Sequence, residues 1–359
     1  MRRMHGGLVA CLVAVAGLVT LQVSSSPAPS AGRSAGLPTV ARNLIQVPTR
    51  LADGASYALR YVIDSRRSIG ISAAADGSTF NVVEVVDGAV AATLRSLSRE
   101  ARPFFDGYVS HGDRLYWTET TRRGDGTDRI ELWAAPIAPV RTGPAELVID
   151  DMGSAYLSGS AYDVIVADGV ISWVVVGDAA VPRTQVRSVL VPGGAVTTSV
   201  FQGTWRQTAR PWLTLSSADA AGLLNQQSGE QLMFAGTVLE RVNCAPQWCR
   251  VTIAEDDDAL GLELAAPDGS QRRRIAGPGV RFIAVDPAAL GRYELLGDTN
   301  GVSSGEMRLL LFDALTDTTS LVDTGPLALV SVRDRFAWWQ SGTFTDPVWR
   351  VLDLGALAN

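Results

Sequence analysis

The chain has 359 residues, 47% of them hydrophobic, a formal charge of −6 at pH 7, and arginine at every one of its 31 basic positions. That balance lacks the concentrated basic footprint through which proteins grip nucleic-acid phosphates. Without lysine there is neither a Walker phosphate loop nor a Schiff-base nucleophile.

Read from the N-terminus, Met1 to His5 form a short basic region and Leu8 to Val23 a largely apolar one. Ser24 to Gly36 are rich in small residues and proline, the pattern of an export signal cleaved after Ala28, Ala31 or Ala35. The apolar stretch is short against the roughly 20 residues of a membrane span. The expectation is an exported protein with no stable span after cleavage, an uncleaved N-terminal anchor being the alternative. Residues 1–35 are assigned to signal and linker, and 36–359 to a single domain.

Beyond the leader, Arg42 to Val47 read as an isolated strand, and from Tyr57 onward a unit of strand, polar hairpin and strand recurs about every 45 residues. Gly112-Asp113-Arg114-Leu115-Tyr116-Trp117 aligns without gaps on Asp168 to Trp173 and on Arg333 to Trp338. Each copy is followed by a hairpin and an alternating strand such as Arg129 to Trp133 or Trp349 to Leu354, the mark of half-buried β-structure. Taking Ile71, Trp117, Trp173, Thr214, Arg250, Leu295 and Trp338 as the equivalent position gives seven units, although Thr214 and Arg250 are neither aromatic nor apolar. The period fits a four-stranded blade. The chain is thus expected to be all-β, a seven-bladed propeller of four-stranded blades, with six or eight blades as alternatives. The last unit has only three strands before Asn359, so residues 42–47 are expected to supply its fourth and close the ring.

With this rhythm and the strand ends Leu352-Asp353-Leu354-Gly355 and Ala266-Pro267-Asp268-Gly269, the chain resembles the secreted TolB-like and related β-propellers of high-GC Gram-positive bacteria. The resemblance spans residues 42–359 and implies a propeller, but no particular chemistry. It also implies that the hairpin between the second and third strands of every blade lies on one face, and the turn between the first two on the other. The first set carries Asp76, Asp125, Asp128, Asp178, Asp219, Glu255 to Asp258, Asp298, Glu306 and Asp346; the second carries Arg66, Arg67, Arg114, Arg210, Arg292, Arg333 and Arg335. One acidic and one relatively basic face are expected, a field suited to a cation or a basic partner.

Few catalytic groups remain. Outside the leader His111 is the only histidine and lies in a polar turn, where a solvated role outweighs that of a base. Cys244 and Cys249, the only cysteines outside the leader, are expected to form an intrachain disulfide; their spacing differs from the redox motif, and two thiolates make a poor metal site. No metal and no cofactor is expected. The acids Asp125, Asp128, Glu255, Asp256, Asp257 and Asp258 are candidate binding residues, with solvated hairpin tips as the plainer reading. Trp205 and Trp212, in the irregular fourth unit, are candidates for an exposed binding surface, with core packing as the alternative. The expected function is a non-catalytic binding or interaction module for a protein, cell-envelope component or extracellular ligand. The alternative is a carboxylate-dependent extracellular glycosidase or lyase.

Overall fold

The computed structural model describes residues 38–40, 44–137, 143–176, 182–191, 193–216, 220–254, 260–343 and 345–358. The expected leader, Glu255 to Asp258, Asp178 and Asp219 lie outside the described residues.

The first strand, β1, spans Leu44–Pro48. Blade one follows as β2 (Tyr57–Val62), β3 (Arg67–Ala73), β4 (Thr79–Val86) and β5 (Ala89–Ser98). Blade two holds β6 (Phe104–His111), β7 (Arg114–Arg122), β8 (Asp128–Pro136) and β9 (Glu146–Ile149). Blade three holds β10 (Val164–Ala167), β11 (Val170–Val176), β12 (Arg183–Leu190) and β13 (Thr197–Gln202). Blade four holds β14 (Arg206–Gln207), β15 (Trp212–Ser216), β16 (Ala221–Asn225) and β17 (Gln231–Phe234). Blade five holds β18 (Glu240–Cys244), β19 (Cys249–Ala254), β20 (Leu260–Ala265) and β21 (Arg273–Ala276). Blade six holds β22 (Val280–Phe282), β23 (Tyr293–Asp298), β24 (Met307–Asp313) and β25 (Thr318–Gly325). Blade seven holds β26 (Ala328–Arg333), β27 (Phe336–Gly342) and β28 (Pro347–Asp353), and β1 is its fourth strand.

All seven sheets are antiparallel and four-stranded, and the position picked out by the sequence repeat falls in the second strand of every blade. Ring closure by the N-terminal strand is observed. β1 pairs with β28 from Leu44 opposite Leu352 to Pro48 opposite Val348, so no unpaired edge is left on β28. The preceding residues 38–40 also touch blade six, where Thr39 bridges Leu321 and the Val40 amide donates to the Leu321 carbonyl at 3.1 Å.

The alternating side chains are buried between blades. Seven apolar clusters occur, each shared by two neighbouring blades. One joins Tyr57, Leu59 and Val83 of blade one to Phe336, Trp338 and Trp349 of blade seven, so the ring is closed by packing as well as by strand pairing. Trp117 and Trp173 are fully buried in the clusters of blades two and three. Flat indole rings fill the gap between twisted sheets with large buried area.

Three second-to-third or third-to-fourth turns share one local device. In Asp76-Gly77-Ser78, Asp125-Gly126-Thr127 and Asp268-Gly269-Ser270 the aspartate accepts the amide and hydroxyl of the residue two positions on, while the glycine takes positive φ.

Candidate functional site

The first strand of each blade borders the ring axis, where side chains from distant blades meet. Arg333, at the end of β26, donates to Asp106 Oδ1 of β6 at 3.2 Å and to the Ser160 carbonyl at 3.0 Å. Ser160 belongs to the linker between β9 and β10, which enters the axis instead of passing over it. There Ser160 Oγ and the Ala161 amide donate to the two carboxylate oxygens of Asp286 at 2.6 and 2.7 Å. Asp163 folds the same linker on itself, accepting from the Ser158 amide and hydroxyl and from the Gly159 amide. Burial pushes the Asp163 carboxyl up to about 6, against the lowering effect of these hydrogen bonds.

Asp286 is held from the other side by blade five. Arg250 is buried, pairs with the fully buried Glu294 at 2.6 Å, and donates to the Ala284 and Asp286 carbonyls. Its guanidinium also lies over the Phe282 ring, with the carbon 4.9 Å from the centroid. An arginine thus replaces the aromatic residue of the repeat and fastens the loop between β22 and β23. At the equivalent position of blade four, Thr214 lines a cavity of about 70 Å³ together with Gln207, Asp163 and Asp286. A second recess of about 220 Å³, lined by Gln247, Leu290 and Asp334, shares Tyr162 and Asp286 with the first.

Of this site the sequence singled out Arg333, as one of the basic turn residues, but not Asp106, Ser160, Asp163 or Asp286. A further signal was the failure of Thr214 and Arg250 to match the repeat, and both positions serve the axis. The candidate binding acids among the described residues lie elsewhere. Asp125 is exposed and its carboxylate builds its own turn, while Asp128 stands 3.9 Å from Arg122 across the same hairpin. Hydrogen bonds from Thr127 hold the Asp125 carboxyl below its ordinary range.

The two candidate tryptophans of blade four differ: Trp205 follows the core-packing alternative, whereas Trp212 keeps partial exposure. Trp205 is only 4% exposed and donates its indole N–H to the Gln202 carbonyl, and Trp212 is half-buried against Leu223 and Phe234. Trp205 packs between blades three and four, and Trp212 between blades four and five.

The charge contrast between faces is seen only in part, because Glu255 to Asp258, Asp178 and Asp219 of the acidic set lie outside the described residues. On the face expected to be basic, Arg66 pairs with Asp87, Arg114 with Glu146, Arg292 with Asp313 and Arg335 with Asp353, each cation from a first turn meeting an acid from the outer part of its own blade. Hydrogen bonds from Arg292 hold Asp313 at about 2. On the other face Asp298 is buried against Arg308 at 2.6 Å, while Asp76, Asp125, Asp128 and Asp346 are exposed hairpin acids and Glu306 is half-buried. The expected disulfide is present: Cys244 and Cys249 are cross-strand partners with Cα atoms 3.9 Å apart.

These observations define a closed seven-bladed β-propeller with a loop in its axis. No family model matches the sequence, and no curated protein matches it. Among solved structures, the chain is similar to the acylaminoacyl peptidase of Pyrococcus horikoshii at 7% identity and a TM-score of 0.46, covering 66% of this chain and 43% of that one. It is similar to the β-propeller domain of the Trilobed protease from Pyrococcus furiosus at 8% identity and a TM-score of 0.47, covering 70% and 83%. It is also similar to the WD40 domain of SCAP from fission yeast at 7% identity and a TM-score of 0.47, covering 87% and 98%. The chain spans less than half the length of the P. horikoshii peptidase.

Proposed function

We infer that the protein is an exported, non-catalytic binding module, engaging a protein, cell-envelope component or extracellular ligand through a loop face. One observation carries this reading. The axis is filled by the chain's own linker, whose polar groups bond to Asp286 and Arg333, so the faces remain as the surface open to a large partner.

The face bearing the inter-blade linkers favours this role further. Val238 is 97% exposed and Leu329 63%, with Phe104 and Leu239 also exposed, all where inner strands begin. Asp76, Asp125 and Asp346 project from hairpins on the same face. Apolar side chains rimmed by charge are the makeup of an interaction surface. Export is supported by the leader pattern of residues 1–35 and by the disulfide. A TolB-like kinship with secreted propellers of high-GC Gram-positive bacteria is part of the same proposal.

The test is capture of cell-envelope components by the wild-type domain beside a Val238→Asp, Leu239→Asp variant that keeps its thermal stability. A component retained by the wild type and lost by the variant supports the reading. Equal retention removes this face from the function.

The carbohydrate-enzyme reading has one observation in its favour, the raised Asp163 carboxyl. Against it, the adjoining cavity of about 70 Å³ falls well below the roughly 300 Å³ at which small-molecule sites begin.

A further inference from the structure

The cavity beside Asp163 is unusual in which groups face it. Gln207 is 7% exposed; its Nε2 donates to Ser172 Oγ at 2.9 Å, leaving Oε1 buried with no partner among the described residues. Thr214 is equally buried, and its Oγ1 also has no partner. Buried polar atoms in that state cost about 1–3 kcal/mol each, so two on one small cavity point to something that satisfies them. Both can accept a hydrogen bond.

Charge points the same way. Asp163 and Asp286 both line the cavity, and their hydrogen-bond donors within the linker are all neutral amides and hydroxyls. The nearby guanidinium groups are engaged elsewhere, Arg250 with Glu294 and Arg333 with Asp106. Arg206 also lines the cavity, but it is exposed and its guanidinium lies over the Tyr156 ring at 4.9 Å. Counted together, the acids Asp106, Asp163, Asp286 and Glu294 exceed the cations Arg206, Arg250 and Arg333 by one. Asp163 is buried, and that burial pushes its carboxyl up despite the opposing pull of Arg333.

We propose that this axial cavity is a binding site for a small ammonium-class cation, an ammonium ion or the terminal group of a primary amine, held by Asp163, Gln207 Oε1 and Thr214 Oγ1. Such a group supplies several donors and one positive charge, matching the two free acceptors and the surplus carboxylate. The volume of about 70 Å³ has room for a group as small as methylammonium, and a quaternary ion, which has no N–H, cannot satisfy the two free acceptors. This site is independent of the face-binding reading, since it lies inside the ring and none of its residues belongs to the exposed apolar patch.

The experiment titrates the intact exported domain with methylammonium chloride at constant ionic strength, following heat of binding and thermal stability, with tetramethylammonium, sodium and potassium chlorides as parallel probes. Saturable binding of methylammonium alone is expected. Asp163→Asn should weaken it about tenfold or more, and Thr214→Val, which keeps shape and removes an orphan hydroxyl, should weaken it several-fold without lowering stability. Equal responses to methylammonium and tetramethylammonium would assign the cavity to water and overturn the proposal. So would a response to sodium or potassium that matches methylammonium, because a metal ion brings no donors. Unchanged affinity in both variants would place any binding elsewhere.

Discussion

The indole N–H of Trp349, in the last blade, donates to the backbone carbonyl of Tyr57, in the first, at 3.1 Å across 292 positions of sequence. The bond sits inside the cluster that seals the ring, beside the edge covered by β1. Removing residues 44–48 exposes the β28 edge and strips Ile45 and Val47 from that cluster. A loss of about 3 kcal/mol or more is expected from their burial. Denaturant unfolding of the truncated domain, followed by limited proteolysis, measures it. An unchanged midpoint would show that β1 is an ornament of the fold.

Arg250 and Glu294 form a buried pair at 2.6 Å. Arg250→Leu leaves Glu294 uncompensated and should cost about 3–5 kcal/mol. The double change Arg250→Leu, Glu294→Leu should recover much of that loss, since no buried charge is then stranded. Equal destabilisation of single and double variants would mean that the arginine acts mainly through the carbonyls it holds.

The Asp163 carboxyl, at about 6 in the fold, lies above its unfolded value of 3.8. Its contribution to stability is therefore fully present below about pH 4 and is lost as pH rises through 6. Asp106 pushes it up and Arg333 pulls it down, but burial dominates. Asp163→Asn keeps an acceptor for the Ser158 and Gly159 amides and removes this loss. The variant should gain about 2 kcal/mol on the wild type between pH 4.5 and pH 8. Thermal melts of both proteins at the two pH values give the difference directly, and a difference independent of pH would refute it.

Cys244 and Cys249 close a small loop at the end of β18. Replacing both with alanine should lower stability by about 2 kcal/mol in the chain-entropy model, without dissolving the ring. An unreduced peptide spanning both residues should weigh two hydrogens less than its reduced form. Free thiols in freshly purified, unreduced protein would contradict the bond.

How far the sequence could be read depended on whether a contact left a periodic trace. Trp117, Trp173 and Trp338 recur because every blade faces a neighbour in the same way, so one alternating pattern repeats around the ring. The strand Leu44–Pro48 was legible as the missing edge of an otherwise three-stranded unit. The axis left no such trace. Arg333 reaches Asp106 over 227 positions and Ser160 over 173, and each contact occurs once. Trp205 was ambiguous for a related reason: an irregular unit allows either exposure or core packing, and its indole packs with Val174, Val186 and Leu213 between blades three and four.

Because each apolar cluster belongs to two blades, no blade owns a core. A chain cut in the linker at 235–239 would yield one piece ending with blade four and another beginning with blade five, each presenting bare half-interfaces at both ends. Neither piece could hide those surfaces alone, yet each carries the complement of the other. Severed at that point, the two halves should find one another and rebuild the circle, a natural split for a reporter whose signal depends on reassembly.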